Sequence, residues 1–398
     1  MRARHGGILA SALVVALAGC TPTTPSGPEA TSSVEPSDSP VASASPSEAK
    51  GFPVERFGGL GDEPVSDGLA AVLQDVLETS AGGDGLTAAV IAPQGTWNGA
   101  TGLAAGDRPM VPDDQMAIGH ITQTIVAAQV MQLVEEGRLG LDDPAADHVP
   151  PDLEFDTNGV SIADLLGHRS GLPENFADER VWESILTRPR HAWTPEEVLA
   201  TAGPERTPPG ERWEFRGTNY VVLGMIVEHV TGRPLAEVLR SGVLDDERYE
   251  RLIAQPDEHP TEPIAMPAGA SARTFDEVGG ALPSLARVTA EFAEANMASD
   301  ALSLARWFQA FCAGEVVSPA SLDEMTDFEE RPEFGLGVWD RSPDYGPGAL
   351  GLVGEAREGY GTTALCFPDQ GVVVVVLANA YDNNVDATAG NLVQAAST

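Results

Sequence analysis

The chain is almost without lysine: its single one, Lys50, ends a polar stretch, so the folded part has no ammonium side chain to serve as a base. Positive charge is scarce altogether. Lys and Arg number 23 against 60 Asp and Glu, a formal net charge of -37. That excess repels phosphate backbones and anionic headgroups, which argues against nucleic acid and anionic lipid surfaces as partners; a solvated acidic surface is expected. Long apolar runs are missing as well. The run near the N-terminus, Ile8 to Ala18, is too short to span a bilayer.

What is present begins with an export signature. Arg2 and Arg4 precede the Ile8–Ala18 run, and Leu17-Ala18-Gly19-Cys20 follows directly. This order resembles a bacterial lipobox, which implies lipid on Cys20. Residues 21–50 are mostly Pro, Ser, Thr, Ala and acidic, a disordered tether reaching up to roughly 100 Å. The expected organisation is a 1–20 lipoprotein signal, a 21–50 tether and a 51–398 domain. The protein is then extracytoplasmic, held to the bacterial membrane through its lipid alone. Cys312 and Cys366 could pair there or remain buried thiols. Neither this choice nor the oligomeric state is decided by the sequence.

A hydrophobic content of 42% suffices for a large core. Spacing predicts a helix at 69–77, then strands at 86–92 and 96–103 joined at Pro93-Gln94-Gly95. A long helical middle follows, including 161–166, 195–201 and 219–230, the last ending at Gly232. Helices at 303–311 and 318–325 lead into strands at 334–339, 361–367 and 372–377, and a helix at 385–395 closes the chain. Strands at both ends with helices between them predict an α/β (α+β) fold: one antiparallel sheet built from both chain ends, flanked by helices, with an inserted all-helical region.

The most informative stretch runs from Met116 to Pro144. Ile125, Val126, Val130, Leu133 and Val134 recur at helical spacing, and Gly137 is a natural C-cap. His120 therefore sits at a buried helix's N-terminus, where backbone N–H groups favour an anion or a lone pair. The stretch resembles, without a gap, the first motif of the class C β-lactamase and D-alanyl-D-alanine carboxypeptidase family of penicillin-recognising serine hydrolases. His120 stands at the Ser position and Gln123 at the Lys position. Ser161 through Pro173 resembles that family's Thr-Ile-x-x-Leu-Leu-x-His-x-Ser-Gly-Leu-Pro segment, so His168 and Ser170 are expected to be scaffold. In Pro209-Gly210 through Leu223-Gly224 the second motif's Tyr, Ser and Asn positions are Phe215, Arg216 and Gly217. The C-terminal His/Lys-x-Gly motif aligns with Leu352-Val353-Gly354.

The family's acyl transfer needs a Ser activated by Lys and Tyr, and each of those is replaced here. Ser303-Leu304-Ala305-Arg306 is the nearest imitation of Ser-x-x-Lys, and Arg does not lose its proton near neutral pH. The expectation is a catalytically silent, tethered binding or regulatory module. His120 and Arg216 are the candidates for holding a small anionic group such as the carboxylate of a cell-wall peptide. The competing reading is a hydrolase of the β-lactamase, carboxypeptidase or esterase type with non-standard chemistry centred on His120. No cofactor is expected. No metal is expected either, since no two histidines fall at i,i+3 or i,i+4.

Overall fold

The computed structural model describes residues 51–157, 159–177, 179–267, 275–356, 359–381 and 384–397. The signal segment, Cys20 and the 21–50 tether lie outside the described residues. Among those described, no helix is long and apolar enough to cross a membrane.

The main sheet takes strands from both ends of the chain. Its N-terminal part is a hairpin, β1 (Leu86–Ala92) and β2 (Gly95–Thr101), turning at Pro93-Gln94. Its C-terminal part is β3 (Trp339–Asp340), β4 (Leu350–Ala356), β5 (Tyr360–Phe367) and β6 (Val372–Ala378). The order is β2-β1-β6-β5-β4-β3, antiparallel throughout, with Leu86 of β1 opposite Ala378 of β6. Six helices matter here: α1 (Asp67–Ser80), α2 (Thr122–Glu135), α3 (Gly217–Thr231), α4 (Leu285–Glu291), α5 (Ala301–Cys312) and α6 (Val385–Ala396).

Both faces of the sheet are covered, which explains the unbroken apolar run of β6. Val374 and Val376 share a core with Leu73 and Leu77 of α1 and Leu392 of α6. Val373 and Val375 belong to the larger core with Phe308 and Phe311 of α5. Cys312, ending α5, is disulfide-bonded to Cys366 on β5, which settles the pairing left open above. In the loop-closure account a bridge of this span contributes about 4 kcal/mol.

Helix α2 is buried on nearly all sides, as expected of a helix without a polar face. It stops where the chain can turn left-handed. Gly137 at φ 69° donates its N–H to Val134 O, and Arg138 N–H reaches Leu133 O. Gly232 at φ 69° ends α3 in the same conformation. Ser161 and Asp164 form a reciprocal capping box at the start of the short helix Ile162–Leu166.

Two local expectations need correction. The predicted strand 334–339 is met only at its end, where Trp339 begins β3; residues 334–338 form a tight excursion in which Phe334 bridges to Trp339. Gly337 at φ 82° tucks against α2, where a Cβ would lie 2.3 Å from that of Ala127, and its carbonyl accepts Thr124 Oγ1 at 2.7 Å. Conversely, β4 has too many glycines to read as a strand. At Gly354 a Cβ would meet Ile118 O at 2.0 Å, so only glycine lets β4 lie against the segment entering α2.

Candidate functional site

The site is built where the 3-10 turn Gly119–Ile121 feeds α2, beneath the edge of β4 and beside α3 and α4. Beneath it lies a buried polar network. His168, at φ 53° and 1% exposed, accepts at Nδ1 from Arg216 N–H (3.2 Å) and Asn219 Nδ2 (3.0 Å). Those two donors assign the ring proton to Nε2, which donates to Gln123 Oε1 at 3.1 Å. Ser170 Oγ in turn donates to Asn219 Oδ1 at 2.5 Å. Phe215 and Phe334 pack around the ring at 4.5 and 4.9 Å. Burial, and next the proximity of His120, push the His168 pKa down to about 3, so the ring is neutral.

Above the network opens a cavity of about 330 Å³. Phe176, Trp182, Phe215 and Trp339 form its aromatic walls, and Leu352 closes one side. Its charged lining is His120, Glu174, Arg287, Glu291 and Glu294. Among the described residues, no lining side chain carries a hydroxyl, a thiol or an amine. His120 Nε2 is 3.4 Å from Glu294 Oε1, and its ring meets Phe215 edge-on at 5.0 Å. Glu294 Oε2 accepts Asn175 Nδ2 at 3.3 Å. Arg287 pairs with Glu291 and lies over the Trp182 ring at 4.2 Å. Glu174 Oε2 accepts the N–H of Gly217 at 3.1 Å, capping the first turn of α3.

Gly217 explains how the acidic wall fits. A Cβ at this position would lie 2.2 Å from Glu294 Cδ and Oε2. The carboxylate of Glu294 therefore occupies the room that any side chain at 217 would need.

Residues 69–397 match the family model described as Beta-lactamase. The chain belongs to the Beta-lactamase family. Protein flp of Staphylococcus aureus (strain COL) is 30% identical over 125 residues, 30% of this chain and 24% of that protein, so the match spans about a quarter of that relative's length. Esterase EstB of Burkholderia gladioli is 28% identical over 303 residues, covering 66% of this chain and 73% of the esterase. Among solved structures, the D-stereospecific amidohydrolase from Streptomyces sp. superposes with a TM-score of 0.68 at 25% identity, over 82% of this chain and 98% of its own. The fold is thus that of the β-lactamase-like hydrolases.

Within this Beta-lactamase-family frame, His120, Phe215 and Leu352 line the cavity, Gly217 lies behind Glu294, and Gln123 is buried below, bonded to His168. Arg216 is not brought to His120's cavity. Its guanidinium pairs with Glu214 at 3.3 Å, because Arg216 precedes α3 in extended conformation and the cavity wall is taken by its neighbour Phe215. The expectation of no metal rested on histidine pairs alone; in the fold His120, Glu291 and Glu294 bring one donor atom each to within 4.8 Å of the others. Those glutamates, with Glu174, Arg287 and Trp182, escaped the sequence reading. A signal existed in Arg287, Glu291 and Glu294, charges spaced at i, i+4 and i+7 in a stretch otherwise apolar.

Proposed function

We propose that this chain is a Beta-lactamase-family protein that has given up serine acyl transfer and uses the cleft as a binding site, tethered outside the cytoplasm by lipid on Cys20. The observation that carries this is the cavity lining, which has His120 at the nucleophile position and, among the described residues, no hydroxyl, thiol or amine. Those lining residues offer no atom on which a serine-type acyl-enzyme could form. The Cys312–Cys366 disulfide supports an oxidising compartment.

The ligand class follows from the walls. Three carboxylates face one Arg and one His, so the cavity favours a cationic group over the anion expected from His120 and Arg216. Four aromatic rings beside them suit an apolar side chain. A small cell-wall peptide presenting a free amine combines both features. Thermal shift with such peptides should show stabilisation that N-acetylation abolishes, and intact mass after β-lactam or fluorophosphonate should stay unchanged. A covalent adduct on the wild-type protein would overturn the reading.

One observation favours a second reading. His120 has a carboxylate partner in Glu294, the arrangement of a base that activates water. Ester turnover that vanishes in His120→Ala, with no adduct at any time, would select it over pure binding.

A further inference from the structure

We infer that His120, Glu291 and Glu294 form a binding site for a divalent transition metal, of which zinc is the best match, with its open coordination position facing the cavity. This goes beyond the binding-module reading and does not require its peptide. The donor set is one imidazole nitrogen and two carboxylates, a combination that suits zinc and its neighbours better than calcium or magnesium, which take oxygen ligands.

The geometry is already close to that of a bound ion. Two donors on one tetrahedral zinc, at bonds of about 2.0–2.1 Å, lie roughly 3.3 Å apart. His120 Nε2 and Glu294 Oε1 are 3.4 Å apart. The third donor, from Glu291, lies within 4.8 Å of both, so rotation of one carboxylate completes the set. The backbone supports this arrangement. Glu291 ends α4, Phe292 at φ 43° breaks the helix, and the 3-10 turn Phe292–Glu294 returns the second carboxylate to the same wall.

The surroundings are those expected around a ligated metal. Glu294 Oε2 accepts Asn175 Nδ2 and Glu291 Oε1 pairs with Arg287, so each carboxylate is oriented by a neighbour, as carboxylates that ligate a metal are. Asn175 is itself buried, and its Oδ1, an amide's width from that hydrogen bond, has no hydrogen-bond partner among the described residues. That lone pair suits a water on the metal. Glu291 and Glu294 are 2% and 6% exposed, so a dication held between them would offset the cost of desolvating both carboxylates together and leave the aromatic cavity beside its open position.

The test uses the full-length protein, stripped with chelator and titrated with zinc chloride by calorimetry, with thermal shift alongside. One zinc per chain is expected. His120→Ala and Glu294→Gln should each weaken binding by more than about 100-fold, and Asn175→Ala by roughly tenfold. His148→Ala, at the separate Asp143–His148 pair, should leave the affinity unchanged. Cobalt loading provides a readout independent of variant folding, since an intense visible band on the wild-type protein reports a four-coordinate site with nitrogen and oxygen ligands. Absence of zinc uptake and of that band, or equal uptake by wild type, His120→Ala and Glu294→Gln, overturns the site. Zinc binding without any peptide stabilisation would sink only the binding-module reading. Peptide stabilisation of chelated protein with no zinc uptake would sink only the metal site.

Discussion

His168 and His120 both pack against Phe215 and teach different lessons. Around His168 every ring nitrogen is engaged, the partners are amides and a backbone N–H, and solvent is excluded. Around His120 the side chain is partly exposed, the partner is a carboxylate, and a cavity opens beyond it. The first histidine is used for what it fixes in place. The second is used for what it can still receive. The segment resembling the family in full carries the first, and the motif that departs from it carries the second.

The contrast can be broken most forcefully by acid. His168 has its native pKa pushed down to about 3, below its ordinary value near 6.5, so the unfolded chain takes up a proton through that window and the native one does not. Stability should hold above about pH 6.5, fall as pH drops towards 3, and level off below, a loss on the order of 5 kcal/mol from this group. Denaturant titrations of wild type and His168→Asn across this range should differ in slope there, and equal slopes would remove His168 as the cause.

At neutral pH, His168→Asn should itself lose about 3 kcal/mol, since Gln123 Oε1 and the Arg216 N–H are left buried without their ring. Gly217→Ala comes next, with about 1–3 kcal/mol lost to the clash with Glu294. That loss should shrink when Glu294→Ala is added, a coupling that a double-mutant cycle measures directly. The smallest effect belongs to His120→Ala. With its ring partly in solvent, its pairing contributes below about 1 kcal/mol, and a larger stability loss would mean His120 is scaffold after all.

Much of the fold was legible in the sequence because its signals are local. The hairpin at Pro93-Gln94, the β6 run, the left-handed stops at Gly137 and Gly232 and the capping residue Ser161 each act within a few residues. Strand β4 was not legible, since Gly351 and Gly354 answer to Ala364 O and Ile118 O across the structure rather than to their neighbours. The site divides in the same way. His120, Phe215 and Leu352 could be placed by alignment with a motif, whereas Arg216's turn towards Glu214 depends on which face of the chain enters α3. The acidic wall showed in the sequence only as charges within an apolar stretch. Glu291 ends α4 and Glu294 lies in the turn after it, and only the packed fold places them against a turn far earlier in the chain.

The contact between Gly217 and Glu294 has one more consequence. A side chain at 217 and the present position of the Glu294 carboxylate exclude each other, since the first carbon would fall inside the carboxylate. Any residue with a Cβ there has to swing that carboxylate aside, and the displacement draws it from His120. The charge beside His120 is thus held in place by a carbon atom that α3 lacks.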